Sequence, residues 1–265
     1  MEPFIDAFGF LTDPANWSGN RGILVRFIEH VQLSLPPLLA AMLVAIPAGV
    51  LAGHFRRGQA IGTFIANVGR AIPTLALLVF GLILSVRVFD LGISYWPTVF
   101  ALFFLALHPL FTNTYTAVKN VDRSLLEAAR GMGYDERQLL WEVELPVASP
   151  VIFTAIRVAA VQVVATAPIG ALAAGGGFGR FVIDGFGSRN YGVMYAGIIL
   201  IALLAVATER TVDGIERLVT EAQRMRRLVD DLLDASRAEQ DGFVRERAPV
   251  EILEIAEEVI REQSG

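Results

Sequence analysis

From Val31 to Gly53 the sequence reads VQLSLPPLLAAMLVAIPAGVLAG, without a charged residue. A membrane-spanning helix requires about 20 mostly apolar residues, so this stretch is long enough to cross a bilayer. Pro36, Pro37 and Pro47 would break a helix in water, whereas inside a membrane neighbouring helices can satisfy the backbone groups that proline frees. The stretch therefore predicts a transmembrane helix.

Four further apolar stretches follow along the chain. Together they predict an all-α polytopic membrane protein with about five spans, the other four lying at residues 71–86, 97–118, 150–174 and 191–208. The composition agrees, because 54% of the 265 residues are hydrophobic and 18% are charged, against about a quarter charged in soluble domains. The net charge of -5 predicts no nucleic-acid partner. The absence of cysteine excludes disulfides and thiolate metal sites.

The distribution of positive charge predicts the orientation in the membrane. Loops rich in arginine and lysine stay in the cytoplasm. Such residues follow the first, third and fifth spans: Arg56, Arg57, Lys119, Arg123, Arg130, Arg137, Arg210, Arg217, Arg224, Arg226 and Arg227. We therefore predict a chain in contact with membrane lipid, with residues 1–27 as an external N-terminal segment and the C-terminus in the cytoplasm.

The loop between the third and fourth spans carries a spaced motif. It reads EAARGMG at residues 127–133 and, after nine residues, VELP at residues 143–146. The pattern resembles the EAA loop of binding-protein-dependent ABC importer permeases, in which Glu-Ala-Ala, Gly and a final Leu-Pro recur at this spacing. The resemblance implies that the loop couples the spans to a separate ATP-binding subunit. The coupling residues that it implies are Glu127, Ala128, Ala129, Gly133, Leu145 and Pro146.

The residues of this loop also predict its shape. Ser124 followed by Glu127 is the pattern of a capping box, so a helix is expected to begin at Ser124. Gly133 permits a sharp turn where a side chain would obstruct, and Pro146 is expected to close a second short helix over residues 135–144. The small Ala128 and Ala129 would let the first helix lie close against another surface. An ordinary amphipathic connector is the alternative to this cytoplasmic helix-turn-helix elbow.

Other segments resemble the permeases for glycine betaine, choline and carnitine. These segments are residues 66–77, 113–115 and 173–179, so that the resemblance covers a transmembrane domain of about residues 28–220. It implies half of a translocation pathway for a quaternary-amine osmoprotectant in the bacterial inner membrane. The implied partners are an ATP-binding subunit, an external substrate-binding protein and a second permease subunit. The chain itself would be no enzyme and hold no cofactor or metal; transport of another amino-acid-like solute is the alternative.

The composition changes after Thr208, where charged residues become frequent. Residues 221–265 are predicted to form a cytoplasmic helical tail, because a mostly apolar stripe from Ile215 to Ser236 recurs in steps of three and four. A second helical pattern spans residues 251–262. Residues 224–239 resemble the second helix of a sensor histidine kinase dimerisation hairpin, although the tail has no phosphoacceptor histidine. A membrane signalling protein that relays through this tail is therefore the rival interpretation.

Two features near the membrane have structural explanations. The glycine-rich residues 175–179 lack the Lys-Ser/Thr of a phosphate-binding loop, so they are expected to form a flexible joint between spans. Arg157 is the one charged residue within the fourth predicted span. We expect it to pair with an acidic neighbour or to reach the cytoplasmic interface.

Overall fold

The structure is entirely helical over its described part. The computed structural model describes residues 2–56, 73–173 and 175–242, and these ranges contain no strand. The helices are α1 (Glu2–Thr12), α2 (Ile23–His54), α3 (Thr74–Arg87), α4 (Trp96–Lys119), α5 (Arg123–Gly131), α6 (Glu136–Gln138), α7 (Leu145–Thr166), α8 (Gly179–Gly187) and α9 (Tyr191–Gly242). A π-helical turn, Leu139–Glu144, and two 3-10 segments, Pro14–Asn16 and Ala167–Ala173, complete them. The predicted all-α class is confirmed.

Four helical stretches are long and apolar enough to cross a membrane. They are Ile23–His54, Trp96–Lys119, Glu136–Ala173 and Tyr191–Ala222. They contain the predicted first, third and fifth spans, and the fourth as far as Ala173. The predicted second span coincides with α3, whose 14 residues rise about 21 Å, against about 30 Å for a hydrocarbon core. Residues 57–72 lie outside the described residues, so a complete second span stays a prediction.

The core forms where α2, α4 and α7 pack together. Alanine is the commonest residue of this core, and buried glycines lie at the contact between α2 and α4. Small residues suit such contacts because helices in a membrane associate through close van der Waals packing. A Cβ atom at Gly49 would lie 2.9 Å from the Thr114 Cβ, and one at Gly53 would lie 2.8 Å from the Val118 Cβ. The two glycines therefore let the C-terminal half of α2 approach α4 more closely than any side chain would permit.

Residues 176–178 pack closely against α2, so the glycine-rich stretch does not form the flexible joint expected. The Gly177 N–H donates a hydrogen bond of 2.8 Å to the Glu29 carboxylate, and the Phe178 N–H donates one of 3.3 Å to Nδ1 of His30. A Cβ atom at Gly176 would overlap the Glu29 carboxylate. Close approach to α2 thus favours glycine at 176 and 177, and a φ of 79° favours it at Gly177 as well.

Arg157 forms the ion pairs that its position in the span predicts. Its guanidinium lies 3.2 Å from the Asp213 carboxylate and also binds Glu216, both on α9. Each of the three side chains is about one quarter exposed or less. Pairing offsets the cost of placing charge in a poorly solvated region, so the predicted pairing with an acidic neighbour is confirmed.

The chain divides into two compact units, Met1–Glu216 and Arg217–Gly265. The described part of the second unit belongs to α9, which continues as one helix to Gly242. Several large apolar side chains of this part are exposed, including Leu218 at 74% and Leu232 at 70%. The second helical pattern at residues 251–262 lies outside the described residues, and the likeness of residues 224–239 to a kinase helix stays a prediction.

Candidate functional site: the elbow between the third and fourth spans

The first helix of the elbow is capped two residues earlier than the sequence predicts, at Asp122 and not at Ser124. The Asp122 carboxylate caps α5 by accepting hydrogen bonds from the Ser124 N–H at 2.9 Å and the Ser124 hydroxyl at 3.0 Å. These bonds hold the pKa of the Asp122 carboxyl below its ordinary value. The predicted capping box at Ser124 and Glu127 is therefore wrong, because the charged carboxylate of Asp122 is available as the cap and the Ser124 hydroxyl serves as its donor.

A capping box does form at the second helix of the elbow. The Gln138 N–H donates to the Asp135 carboxylate at 2.7 Å, and the Asp135 N–H donates to the Gln138 side-chain oxygen at 3.0 Å. Gly133 makes the turn between the two helices with a φ of 92°. No atom lies within 4 Å of a Cβ at Gly133, so its backbone conformation, and not crowding, favours glycine there.

The second helix does not stop at Pro146, which corrects the predicted boundary. Helical structure continues from α6 through the π turn Leu139–Glu144 into α7. Proline lacks an N–H and crowds the carbonyl four residues earlier. The π turn places a wider coil just before Pro146, with the Leu145 N–H bonded to the Leu140 carbonyl five residues back. The elbow is therefore joined to the fourth span by continuous helix.

The residues of α5 and its C-terminal cap form three distinct faces of the helix. Leu126 and Ala129 are buried, and with Val121 and Leu139 they form a small core within the elbow. Leu125, Ala128 and Met132 are exposed and share a second face, because they are three and four residues apart. The third face is charged and consists of Arg123, Glu127 and Arg130.

The six residues predicted for coupling therefore divide between different environments. Glu127, Ala128 and Gly133 are exposed. Ala129 is 2% exposed and packs inside the elbow, where it cannot meet a partner. Leu145 and Pro146 are half-buried at the start of α7, and Leu145 packs against the buried residues Val50, Val118 and Ala148.

Sequence reasoning missed a network of charged groups beside the elbow. Nδ1 of His54, at the end of α2, lies 2.6 Å from the Glu144 carboxylate, and Nε2 lies 3.7 Å from the Glu136 carboxylate. Arg130 donates two hydrogen bonds to Glu136, at 3.1 and 3.2 Å, and these raise the pKa of the Arg130 guanidinium. His54 and Glu144 are 90 residues apart in the chain, so neither hydropathy nor local spacing relates them.

The network lines a cleft of about 540 Å³ together with the charged face of α5. Acidic and basic groups both line the cleft, and Arg130, Glu136, His54 and Glu144 are joined by the contacts given above. Within the described ranges, His, Asp and Glu nowhere form a group of three or more suited to a metal ion. The arrangement fits mechanical contact between helices and a partner, and contains no nucleophile paired with a base.

Comparison with known proteins decides the family. The family described as the binding-protein-dependent transport system inner membrane component matches residues 45–221. This chain belongs to that family. The permease is similar to the choline transport system permease protein OpuBB of Bacillus subtilis, with 31% identity over 78% of this chain and 93% of the relative. It is also similar to the carnitine transport permease protein OpuCB of Listeria monocytogenes, with 32% identity over 76% and 90%.

A solved structure supports the same conclusion. The permease resembles a chain of the MetNI methionine ABC transporter in inward-facing conformations, with a TM-score of 0.65 and 25% identity, over 78% of the permease and 99% of that chain. The protein is thus the permease subunit of an ABC importer, and it is not an enzyme because the ATPase is a separate subunit.

Proposed function

We propose that the permease forms half of an import pathway for a small quaternary amine. The observation that carries the proposal is the similarity to permeases named for choline and for carnitine over more than three quarters of the chain. A second permease subunit would complete the pathway, and an external binding protein would deliver the solute. Residues 28–220 would form the transporter domain, and residues 221–265 a cytoplasmic extension.

The apolar face of α5 is the proposed contact with the ATP-binding subunit. Its large residues are exposed, Leu125 at 43% and Met132 at 72%, and Ala128 between them has no bulk to hold a partner away. An apolar stripe on a short helix is suited to lie in a groove of another protein. Trp141 is 63% exposed in the π turn and would extend the same contact.

The orientation follows from the location of this contact. The elbow must face the cytoplasm to meet an ATPase, so the N-terminus would be external. Because the chain has no cysteine, single cysteines can test this. We expect Gly187→Cys to react with a membrane-impermeant maleimide in intact cells, and Arg137→Cys to react only after permeabilisation. The reverse pattern would place the elbow on the side away from ATP and contradict the proposal.

The solute is tested in vesicles that contain the permease, its ATP-binding subunit and its binding protein. We expect ATP-dependent uptake of radiolabelled choline, carnitine or glycine betaine, and the same solute should stimulate ATP hydrolysis. Methionine is the matched competitor, because the structural relative transports methionine according to its name. Uptake of methionine without uptake of any quaternary amine would refute the proposed solute class and favour an amino-acid transporter.

A further inference from the structure

The first span contacts the elbow through one buried pair at its cytoplasmic end. The His54 side chain is 6% exposed and the Glu144 side chain 3%, and Nδ1 of His54 lies 2.6 Å from the carboxylate. A carboxylate this deeply buried is stable only with a hydrogen-bonded or charged partner. Glu144 ends the π turn between the elbow and the fourth span. The pair therefore fixes α2 to the point at which the elbow continues into α7.

The second ring nitrogen of His54 is directed toward the elbow itself. Nε2 lies 3.7 Å from the Glu136 carboxylate, and Glu136 is held in turn by both hydrogen bonds from Arg130 on α5. His54 thus faces α6 with one nitrogen and the π turn with the other. A movement of either helix of the elbow must displace the imidazole or break one of these contacts.

The outer end of the same span is bound to the glycine-rich segment. Glu29 accepts the Gly177 N–H at 2.8 Å, and His30, which is 0% exposed, accepts the Phe178 N–H at 3.3 Å and bonds the Val164 carbonyl at 3.0 Å. Glu29 and His54 are 25 residues apart on one helix, which corresponds to a rise of about 38 Å. One helix therefore holds the elbow at one end and an outer segment at the other.

We propose that His54 is a positioning residue that transmits displacement of the elbow to α2, and through α2 to residues 176–178. The proposal rests on the proposed coupling role of the elbow. It adds a specific connection between two residues. Glu144 is not one of the residues that the spaced motif specifies, and His54 lies outside the motif altogether. The contact is thus a property of this chain's own residues.

The variants must distinguish a loss of transmission between the elbow and α2 from a loss of folding stability. His54→Leu alone buries an unpaired carboxylate and is expected to destabilise the permease. Replacing both partners with apolar residues of similar size removes that penalty, so the His54→Leu/Glu144→Leu double variant should assemble and unfold as the wild type does. His54→Asn retains a side-chain amide near the position of Nδ1, and is the conservative variant expected to rescue transmission.

The measurement uses a reporter at the outer end of α2 and requires no knowledge of the solute. Gln32→Cys places one exposed cysteine beside Glu29 in a chain that otherwise has none. We expect ATP binding to the complete complex to change its rate of labelling by an impermeant maleimide at least threefold. The change should be lost in the double leucine variant and retained in His54→Asn.

The outcomes distinguish this proposal from the function on which it rests. If the double leucine variant assembles and keeps the ATP-dependent change in labelling, His54 does not transmit displacement and the proposal is overturned. The same conclusion follows if the wild-type reporter does not respond to ATP. If the reporter responds and the double variant abolishes the response, while no quaternary amine is taken up, the positioning role stands and the proposed solute is wrong.

Discussion

Replacing Gly179 with alanine should destabilise the permease and reduce its assembly with the ATP-binding subunit. Gly179 begins α8, and a Cβ atom there would overlap the carbonyl oxygen of Pro168 and lie 2.7 Å from the Pro168 Cα. Both are backbone atoms, so no side-chain rotation can relieve the overlap. Forcing extra volume into a closely packed site costs about 1–3 kcal/mol, and we expect a lower Tm in detergent and a lower yield of complex.

Gly187→Ala is the matched control, because it adds the same methyl group at the other end of the same helix. No atom lies within 4 Å of a Cβ at Gly187, so this variant should match the wild type in Tm and in yield. The comparison is made by thermal unfolding of the purified permease and by co-purification with the ATP-binding subunit. Equal behaviour of the two variants would show that the contact between α8 and Pro168 does not constrain the fold.

Gly179 also illustrates how far the sequence predicts this region. The glycine-rich composition of residues 175–179 is evident without a structure, and by itself it predicts a flexible joint. The actual cause is close approach of the backbone to Glu29, His30 and Pro168, which are distant in the chain. Glycine occurs both in flexible segments and where another part of the chain comes too close for a side chain. Only the neighbouring atoms in the folded structure distinguish the two cases.

The spans themselves were predictable because hydropathy acts over 20 residues at a time. A long uncharged stretch such as residues 31–53 leaves few alternatives to a membrane helix. The rules for helix caps and for proline predicted the ends of the helices less well. Ser124 and Asp122 are both good caps, and Pro146 is a common helix terminator, yet the structure uses Asp122 and carries the helix past Pro146 through a π turn.

The elbow was predictable as a motif but its three faces were not. Sequence spacing locates Glu127, Ala128 and Ala129, three consecutive residues that point in different directions around a helix. Ala129 faces the core of the elbow, Ala128 faces outward, and Glu127 lines the charged cleft. The pair of His54 and Glu144 gives no local signal, because each residue has an ordinary polar neighbourhood in the sequence and meets the other only after folding.

The second large predicted effect concerns the apolar face of α5, which is the proposed contact with the ATP-binding subunit. Met132→Asp should weaken binding of the ATP-binding subunit, because a short charged side chain would be desolvated in the centre of the contact. The expected loss is about 2–4 kcal/mol, or roughly 30- to 700-fold in Kd. Met132 is 72% exposed in the permease itself, so the substitution should leave its own Tm unchanged.

Met132→Leu provides the control at the same position, since it keeps an apolar side chain of similar size and should bind the ATPase as the wild type does. Affinity is measured by titrating the ATP-binding subunit onto permease in nanodiscs, with the Tm of each permease determined separately. A weakened Met132→Asp variant with normal Tm, beside a normal Met132→Leu, would locate the contact on this face. An unchanged Kd in Met132→Asp would instead indicate that the ATPase binds the charged face. On that face, Arg123, Glu127 and Arg130 line the cleft next to His54.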